Sequence, residues 1–153
     1  MMLTLRKADS NDIQNILHLY AQPKMDNGNV INIESAQAIF RRMQSYPNYY
    51  LYVAVLSRSI VGTFALLIMD NIGHQGSPSG IIEDVVVDAA CQGQGIGKQM
   101  MQYAYKECQN AGCYKMVLSS NLKRTGAHAF YESLGFEKHG FSYQVSVVSI
   151  NKK

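Results

Sequence analysis

The chain has 153 residues, 47% of them hydrophobic and 16% charged, with a formal net charge of +3. That length suits one domain with one apolar core and excludes a disordered chain. The small basic excess argues against a nucleic-acid partner, and the irregular spacing of Cys91, Cys108 and Cys113 excludes a disulfide framework and a Cys-x-x-Cys zinc site.

Met2 to Lys7 alternates and predicts a first strand. Asp9 and Ser10 offer N-caps for a helix from about Asn11 to Ala21, whose Ile13, Ile16, Leu17 and Tyr20 share a face. Pro23 to Asn32 is polar and predicts a loop. Ile33, Ala36, Phe40 and Met43 mark a second helix, ended by Pro47 and Asn48. Tyr49 to Leu56 and Ile60 to Met69 are aromatic and β-branched and predict a hairpin across Ser57-Arg58-Ser59. Asp70 to Ser79 is a Gly- and Ser-rich loop, and Ile81 to Val87 a further strand. A third helix carries Ile96, Met100, Met101, Ala104, Tyr105 and Cys108 on one stripe and stops at Gly112. Lys115 to Ser120 predicts a strand, Ala127 to Leu134 a short helix closed by Gly135, and Phe136 with Phe141 to Ile150 the last strands. No repeat or linker divides the chain, so one domain over residues 1–153 is expected. Charges precede any apolar run at the N-terminus, and no apolar stretch approaches membrane-spanning length. A cytoplasmic protein without membrane attachment is expected.

The stretch from Glu83 to Lys98 carries the most chemistry. A Val-rich strand, Val85-Val86-Val87, leads into Gln92-Gly93-Gln94-Gly95-Ile96-Gly97-Lys98 at a helix start. Glycines there let the backbone approach a ligand, and the unpaired amides of the helix start favour an anion such as a pyrophosphate. Lys98 adds a positive charge. The dinucleotide fingerprint fails because Lys98 takes the place of its last glycine. The P-loop fails at Gln92 and Gln99.

Gln92-x-x-Gly95-x-Gly97 after such a strand resembles the coenzyme A-binding signature of the GNAT N-acetyltransferase superfamily. Asn121 with Ala127-His128-Ala129-Phe130-Tyr131-Glu132-Ser133-Leu134-Gly135-Phe136 is similar to a second segment of that family. The resemblance implies an α/β fold in the three-layer α+β sense, with a mixed central sheet of six to seven strands and about four helices. It implies acetyl-CoA as acyl donor and no metal. Backbone groups of Val85, Val86 and Val87 would hold the pantetheine arm where this strand splays from the one at Lys115. The amides from Gln92 to Lys98 would take the pyrophosphate, and Asn121 and Tyr131 would lie near the thiol.

Acetyl transfer to an amine needs a base for the ammonium and an acid for the departing thiolate. The resemblance suggests Glu83 as base and Tyr131 as acid. Ile82-Glu83-Asp84 resembles the triplet of glucosamine-6-phosphate N-acetyltransferases. Asp84 is the rival base, since neighbours on a regular strand face opposite ways. Lys123, Arg124 and His128, in a segment similar to that of aminoalkylphosphonate acetyltransferases, would meet an anionic group of the substrate or coenzyme. The expected activity is direct attack by the primary amine of a small molecule in a ternary complex, without a covalent Cys91 intermediate. Acetylation of protein N-termini or lysines, and a non-catalytic acetyl-CoA-binding module, are the alternatives. The apolar Phe141 to Ile150 run suggests a homodimer.

Overall fold

The computed structural model describes residues 2–147. The chain divides into two compact units, Met1–Leu118 and Ser119–Lys153.

The first unit is built on a mixed sheet of five strands in sequence order: β1 (Leu3–Lys7), β2 (Tyr49–Leu56), β3 (Ser59–Met69), β4 (Ser79–Val87) and β5 (Lys115–Leu118). Neighbours from β1 to β4 run antiparallel; β4 and β5 run parallel. A parallel pair needs a crossover, and α3 (Ile96–Asn110) supplies it. The β2–β3 turn is tighter than the sequence predicts: Ser57 and Arg58 both have positive φ, at 50° and 70°, and β3 begins at Ser59. Two left-handed residues in succession match the twist of an antiparallel ribbon.

The two sheet faces bury different partners. Leu51, Val53 and Ala65 pack with Ile13, Ile16 and Leu17 of α1 (Ile13–Tyr20) and with Ala36 and Phe40 of α2 (Ile33–Ser45). On the other face Tyr52 stacks on Phe64 at 5.0 Å and meets Tyr103 of α3 edge-on at 5.5 Å. The buried α3 stripe is Ile96, Met100, Met101, Ala104 and Cys108; Tyr105, expected on it, is 54% exposed. Cys108 lies against Gly80 of β4, a position with no room for a Cβ. Its carbonyl accepts the Cys113 amide at 3.0 Å in the turn that ends the helix, where Gly112 takes φ 74°. Burial pushes the Cys108 thiol up to about 12, with Cys113 adding to the shift.

Asp9 caps the first helical segment as its sequence position predicts, but a 3-10 turn, Ser10–Asp12, precedes α1. Asp9 accepts the Asn11 amide and Asp12 accepts the Asp9 amide, each at 2.8 Å. Asp12 is also gripped by both guanidinium nitrogens of Arg6, at 2.6 and 2.9 Å, which ties β1 to α1.

The second unit contains α4 (Thr125–Ser133), which ends at Gly135 with φ 90°. The expected six to seven strands are therefore corrected to five among the described residues. Phe136 and residues 141–147 form no strand, and 148–150 lie outside the described residues. Phe141, Tyr143, Val145 and Val147 alternate as a strand would, yet are 82–91% exposed. Alternation makes a strand only where another edge supplies hydrogen bonds, and none does so among the described residues. No described helix is long and apolar enough to cross a membrane.

Asp12→Ala should cost about 2 kcal/mol in urea unfolding, less than breaking a fully buried pair, because Arg6 stays 42% exposed. The Arg6 hydrogen bond, then the Asp9 amide, hold the Asp12 carboxyl below the usual range against the opposing effect of burial. Its contribution should therefore be complete above the ordinary carboxylate range and vanish as pH falls through the lowered folded value.

Candidate functional site

The site begins where two strands part. β4 pairs with β5 from Ser79 opposite Lys115 to Ile82 opposite Leu118, and there the pairing ends. β4 itself continues to Val87, still paired with β3 on its other side as far as Gly62 opposite Val87. From Glu83 to Val87 the β5-side edge carries no strand among the described residues. Such an edge presents backbone donors and acceptors to an extended ligand, as an added strand would use them. Val85, Val86 and Val87, the expected pantetheine contacts, lie on this stretch.

The register of β4 shifts at the same place. Ala65 of β3 is opposite Glu83 and Thr63 is opposite Val86, so Asp84 and Val85 together face one residue of β3. Asp84 forms this bulge with φ 52°, in the left-handed region. The bulge removes the regular alternation that would have sent these two neighbouring carboxylates to opposite faces of the sheet. Glu83, paired with Ala65, lies on the α1–α2 face, and Asp84 acts on Tyr20 and Tyr49 of that same face. Tyr49 feels both carboxylates: burial raises its hydroxyl most, then Asp84, then Glu83. Glu83 and Asp84 reach solvent, but the surrounding protein desolvates them. That raises Glu83, with Asp84 adding to it, and raises Asp84, with Asp26 adding to it. Glu83 and Asp84 form no salt bridge among the described residues.

After β4 the chain enters a turn whose amides are used in order. Asp88 donates to Val61 O at 2.8 Å, Ala89 to Gln22 Oε1 at 2.7 Å, Ala90 to Asp88 Oδ1 at 2.9 Å and Cys91 to Asp88 O at 2.8 Å. Gln92 turns its side chain back to Val87 O at 3.4 Å. Gly93 and Gly95 both take φ 77°, and Gly95 caps α3. A Cβ would be strained at either. The Gln99 amide bonds Gly95 O at 3.1 Å, so the Ile96, Gly97 and Lys98 amides ahead of it are the donors that a helix start leaves free. Ile96 is buried and anchors the start, offering a ligand only its amide, while Lys98 is exposed. These features suit an anionic group at the positive end of a helix.

The second unit holds the other predicted residues. Asn121 shapes its loop: Oδ1 accepts the Lys123 amide at 2.9 Å, and its carbonyl meets the Arg124 amide at 3.0 Å and His128 Nε2 at 2.8 Å. His128 is thus a fastener between loop and helix. Lys123 and Arg124 are exposed. Tyr131 is half-buried, with Phe130 at 5.1 Å and Phe136 at 5.6 Å. Burial raises its hydroxyl, partly offset by Arg124. Sequence motifs did not single out Gln22, Asp26 or Tyr49; only tertiary folding brings Gln22 to Ala89 and sets Asp26 and Tyr49 in reach of Asp84. Among the described residues no three His, Cys, Asp or Glu gather as a metal site would require.

A mixed sheet that opens beside a glycine-rich helix start combines a free strand edge with an anion-binding helix terminus. The profile of the acetyltransferase (GNAT) family matches residues 13–136, and the chain belongs to that family. Over 80 residues it is 40% identical to a glucosamine 6-phosphate N-acetyltransferase of Trypanosoma brucei brucei, a match covering 52% of each protein. Over 97 residues it is 32% identical to an aminoalkylphosphonate N-acetyltransferase of Salmonella typhimurium, covering 63% of this chain and 62% of that one. The chain thus matches between half and two thirds of the length of these curated relatives. A solved structure from Agrobacterium tumefaciens, assigned as an acetyltransferase, superposes with a TM-score of 0.88 at 31% identity, covering 94% of this chain and 99% of that one.

Removing the Asp84 charge should lower the titration midpoint of Glu83, because Asp84 helps to raise it. Carboxyl 13C NMR of Asp84→Asn checks this: a downward shift of the Glu83 midpoint is expected, and an unchanged midpoint would mean that burial alone sets it.

Proposed function

We propose that this one-domain chain is an N-acetyltransferase that moves the acetyl group of acetyl-CoA to the primary amine of a small molecule. The observation that carries the reading is the β4 edge freed beyond Ile82, running directly into the glycine turn and its unpaired amides. Val85 to Val87 would bond the pantetheine amides along that edge. The amides from Gln92 to Lys98 would hold the pyrophosphate. Family membership supports this use of the two features.

The reaction is direct attack in a ternary complex. Glu83 takes a proton from the acceptor ammonium, through water or directly. The amine nitrogen forms a bond to the thioester carbonyl carbon, the carbon–sulfur bond breaks, and Tyr131 protonates the departing thiolate. A carboxylate raised by its surroundings is a better base than an ordinary one, provided that it is still ionised at the working pH. Tyr131, raised by burial, carries its proton at neutral pH and so has one to give; the shift makes it a weaker acid than a free tyrosine, and breaking of the carbon–sulfur bond must drive the transfer. The names of the relatives favour an amine that also carries a phosphate or phosphonate, for which Lys123 and Arg124 are the exposed cations of the second unit. Asn121 would contribute near the thiol.

We place the protein in the cytoplasm, where Cys91, Cys108 and Cys113 persist as the free thiols seen here. The alternating exposed stripe Phe141, Tyr143, Val145 and Val147 supports a homodimer in which this segment gains a strand partner. Sedimentation of the whole chain should give a dimer, and Tyr143→Asp a monomer.

Thiol release from acetyl-CoA, followed with glucosamine 6-phosphate, an aminoalkylphosphonate and a panel of other amines, tests the activity. Glu83→Gln should lower kcat by about a hundredfold or more and leave CoA affinity near normal. Tyr131→Phe should also lower kcat without loss of CoA binding. The acid limb of the pH profile should lie above the ordinary carboxylate range, because Glu83 is raised: activity is retained above that value and lost below it. Tight CoA binding with no thiol release for any amine would favour a non-catalytic module.

A further inference from the structure

Gln22 follows α1 and joins two stretches of chain 67 residues apart. Its side-chain oxygen accepts the Ala89 amide at 2.7 Å, and its side-chain nitrogen donates to Leu19 O at 3.0 Å. Its backbone carbonyl accepts the Met25 amide at 3.0 Å and the Asn27 amide at 3.1 Å. The same loop is held by Asp26 N–H on Tyr20 O and Gly28 N–H on Ala21 O, both at 2.9 Å. One residue therefore organises the loop from 22 to 29 with its main chain and the entry to the glycine turn with its side chain.

Two further facts give this link a direction. The Ala90 and Cys91 amides are taken by Asp88, so with Gln22 on Ala89 every amide up to the glycine turn is occupied. Gln22 thereby helps to fix where the row of free donors begins. Midway along the loop, Asp26 acts on Asp84 at the β4 bulge. The loop is thus within electrostatic reach of the carboxylates that would receive the acceptor. Gln22 also borders a cavity of about 320 Å³ lined by Asn15, His18, Ile60 and Asp88 among others. The half-exposed side chain makes both of its hydrogen bonds at the border of this open space.

We propose that Gln22 is a positioning residue that couples acyl-donor binding at the glycine turn to the order of the 22–29 loop beside the acceptor carboxylates. The proposal rests on the donor reading above. Coupling of this kind is reciprocal, so donor binding steadies the loop and a steady loop favours the donor. Neutral hydrogen bonds of this sort are worth about 1 kcal/mol each, which sets the expected effect at roughly fivefold in CoA affinity.

Hydrogen exchange of the full chain, with and without CoA, tests it. In the unaltered protein, saturating CoA should slow exchange in peptides covering 22–30 as well as 88–100. Gln22→Met, which keeps the length of the side chain and removes both hydrogen bonds, should bind CoA about fivefold more weakly. At saturation its 88–100 peptide should still slow, but its 22–30 peptide should not. Ala89→Pro deletes the same bond from the other partner and should behave alike; Asp88, at φ −51° and ψ 129°, already has the conformation that a following proline requires. Gln22→Glu keeps an oxygen for the Ala89 amide and should retain the loop response. Equal slowing of the loop in Gln22→Met, or no slowing in the unaltered protein despite bound CoA, would overturn the coupling. Failure of the unaltered protein to bind CoA would remove the donor reading itself, and the coupling with it.

Discussion

The parallel pairing of β4 with β5 ends at Ile82 and Leu118, five residues before β4 reaches Val87. The candidate donor site of the first unit depends on that early ending. Had the ladder continued, the backbone of Val85 to Val87 would be consumed by β5. Because it stops, a strand held firmly by β3 on one side leaves its other edge available. The core beneath explains how β4 tolerates this. Ile82 and Leu66 are buried on the α3 face, Met100 and Met101 of α3 are buried too, and Met100 lies against Gly62 of β3.

The bulge at Asp84 follows from the same geometry and changes its chemistry. A left-handed residue inside a strand is strained for any side chain but glycine, and it lets one extra residue into the register. Here the extra residue turns what would be alternation into a pair. Glu83 and Asp84 both raise Tyr49, and Asp84 raises Glu83. A regular strand would have sent one carboxylate into the α3 face, among apolar side chains. The bulge keeps both charges out of that core.

Much of this was legible in the sequence, for definite reasons. The stripe from Ile96 to Cys108 and the hairpin around Arg58 repeat with helical and strand periods, and both elements form. Gly95 and Gly112 mark the start and stop of α3 because each needs, or readily accepts, a left-handed conformation. The glycine motif from Gln92 to Gly97 and the segment from Ala127 to Phe136 pointed to the family to which the chain belongs. The residues that were not legible fail for equally definite reasons. Asp84 looks like any strand residue until the register is known. Gln22, Asp26 and Tyr49 carry no motif and reach Ala89 or Asp84 only through tertiary folding. The segment from Phe141 alternates perfectly, and the sequence could not say that its edge finds no partner among the described residues. Tyr105 was placed on the buried stripe because its spacing fits, yet it sits at the margin of the helix face that meets the sheet.

Cys108 has a bearing on selectivity. An enzyme that handles thioesters sheds a free thiol at each turnover, and any thiolate of its own could accept the acyl group in place of the amine. Cys108 is wedged against Gly80 of the strand on which the donor would lie. Its high proton affinity keeps it a thiol at neutral pH, and only the thiolate attacks a thioester. Under the proposed activity, burying this sulfur against a glycine would keep it from taking the acyl group, and it leaves a small, well-packing side chain at the end of α3.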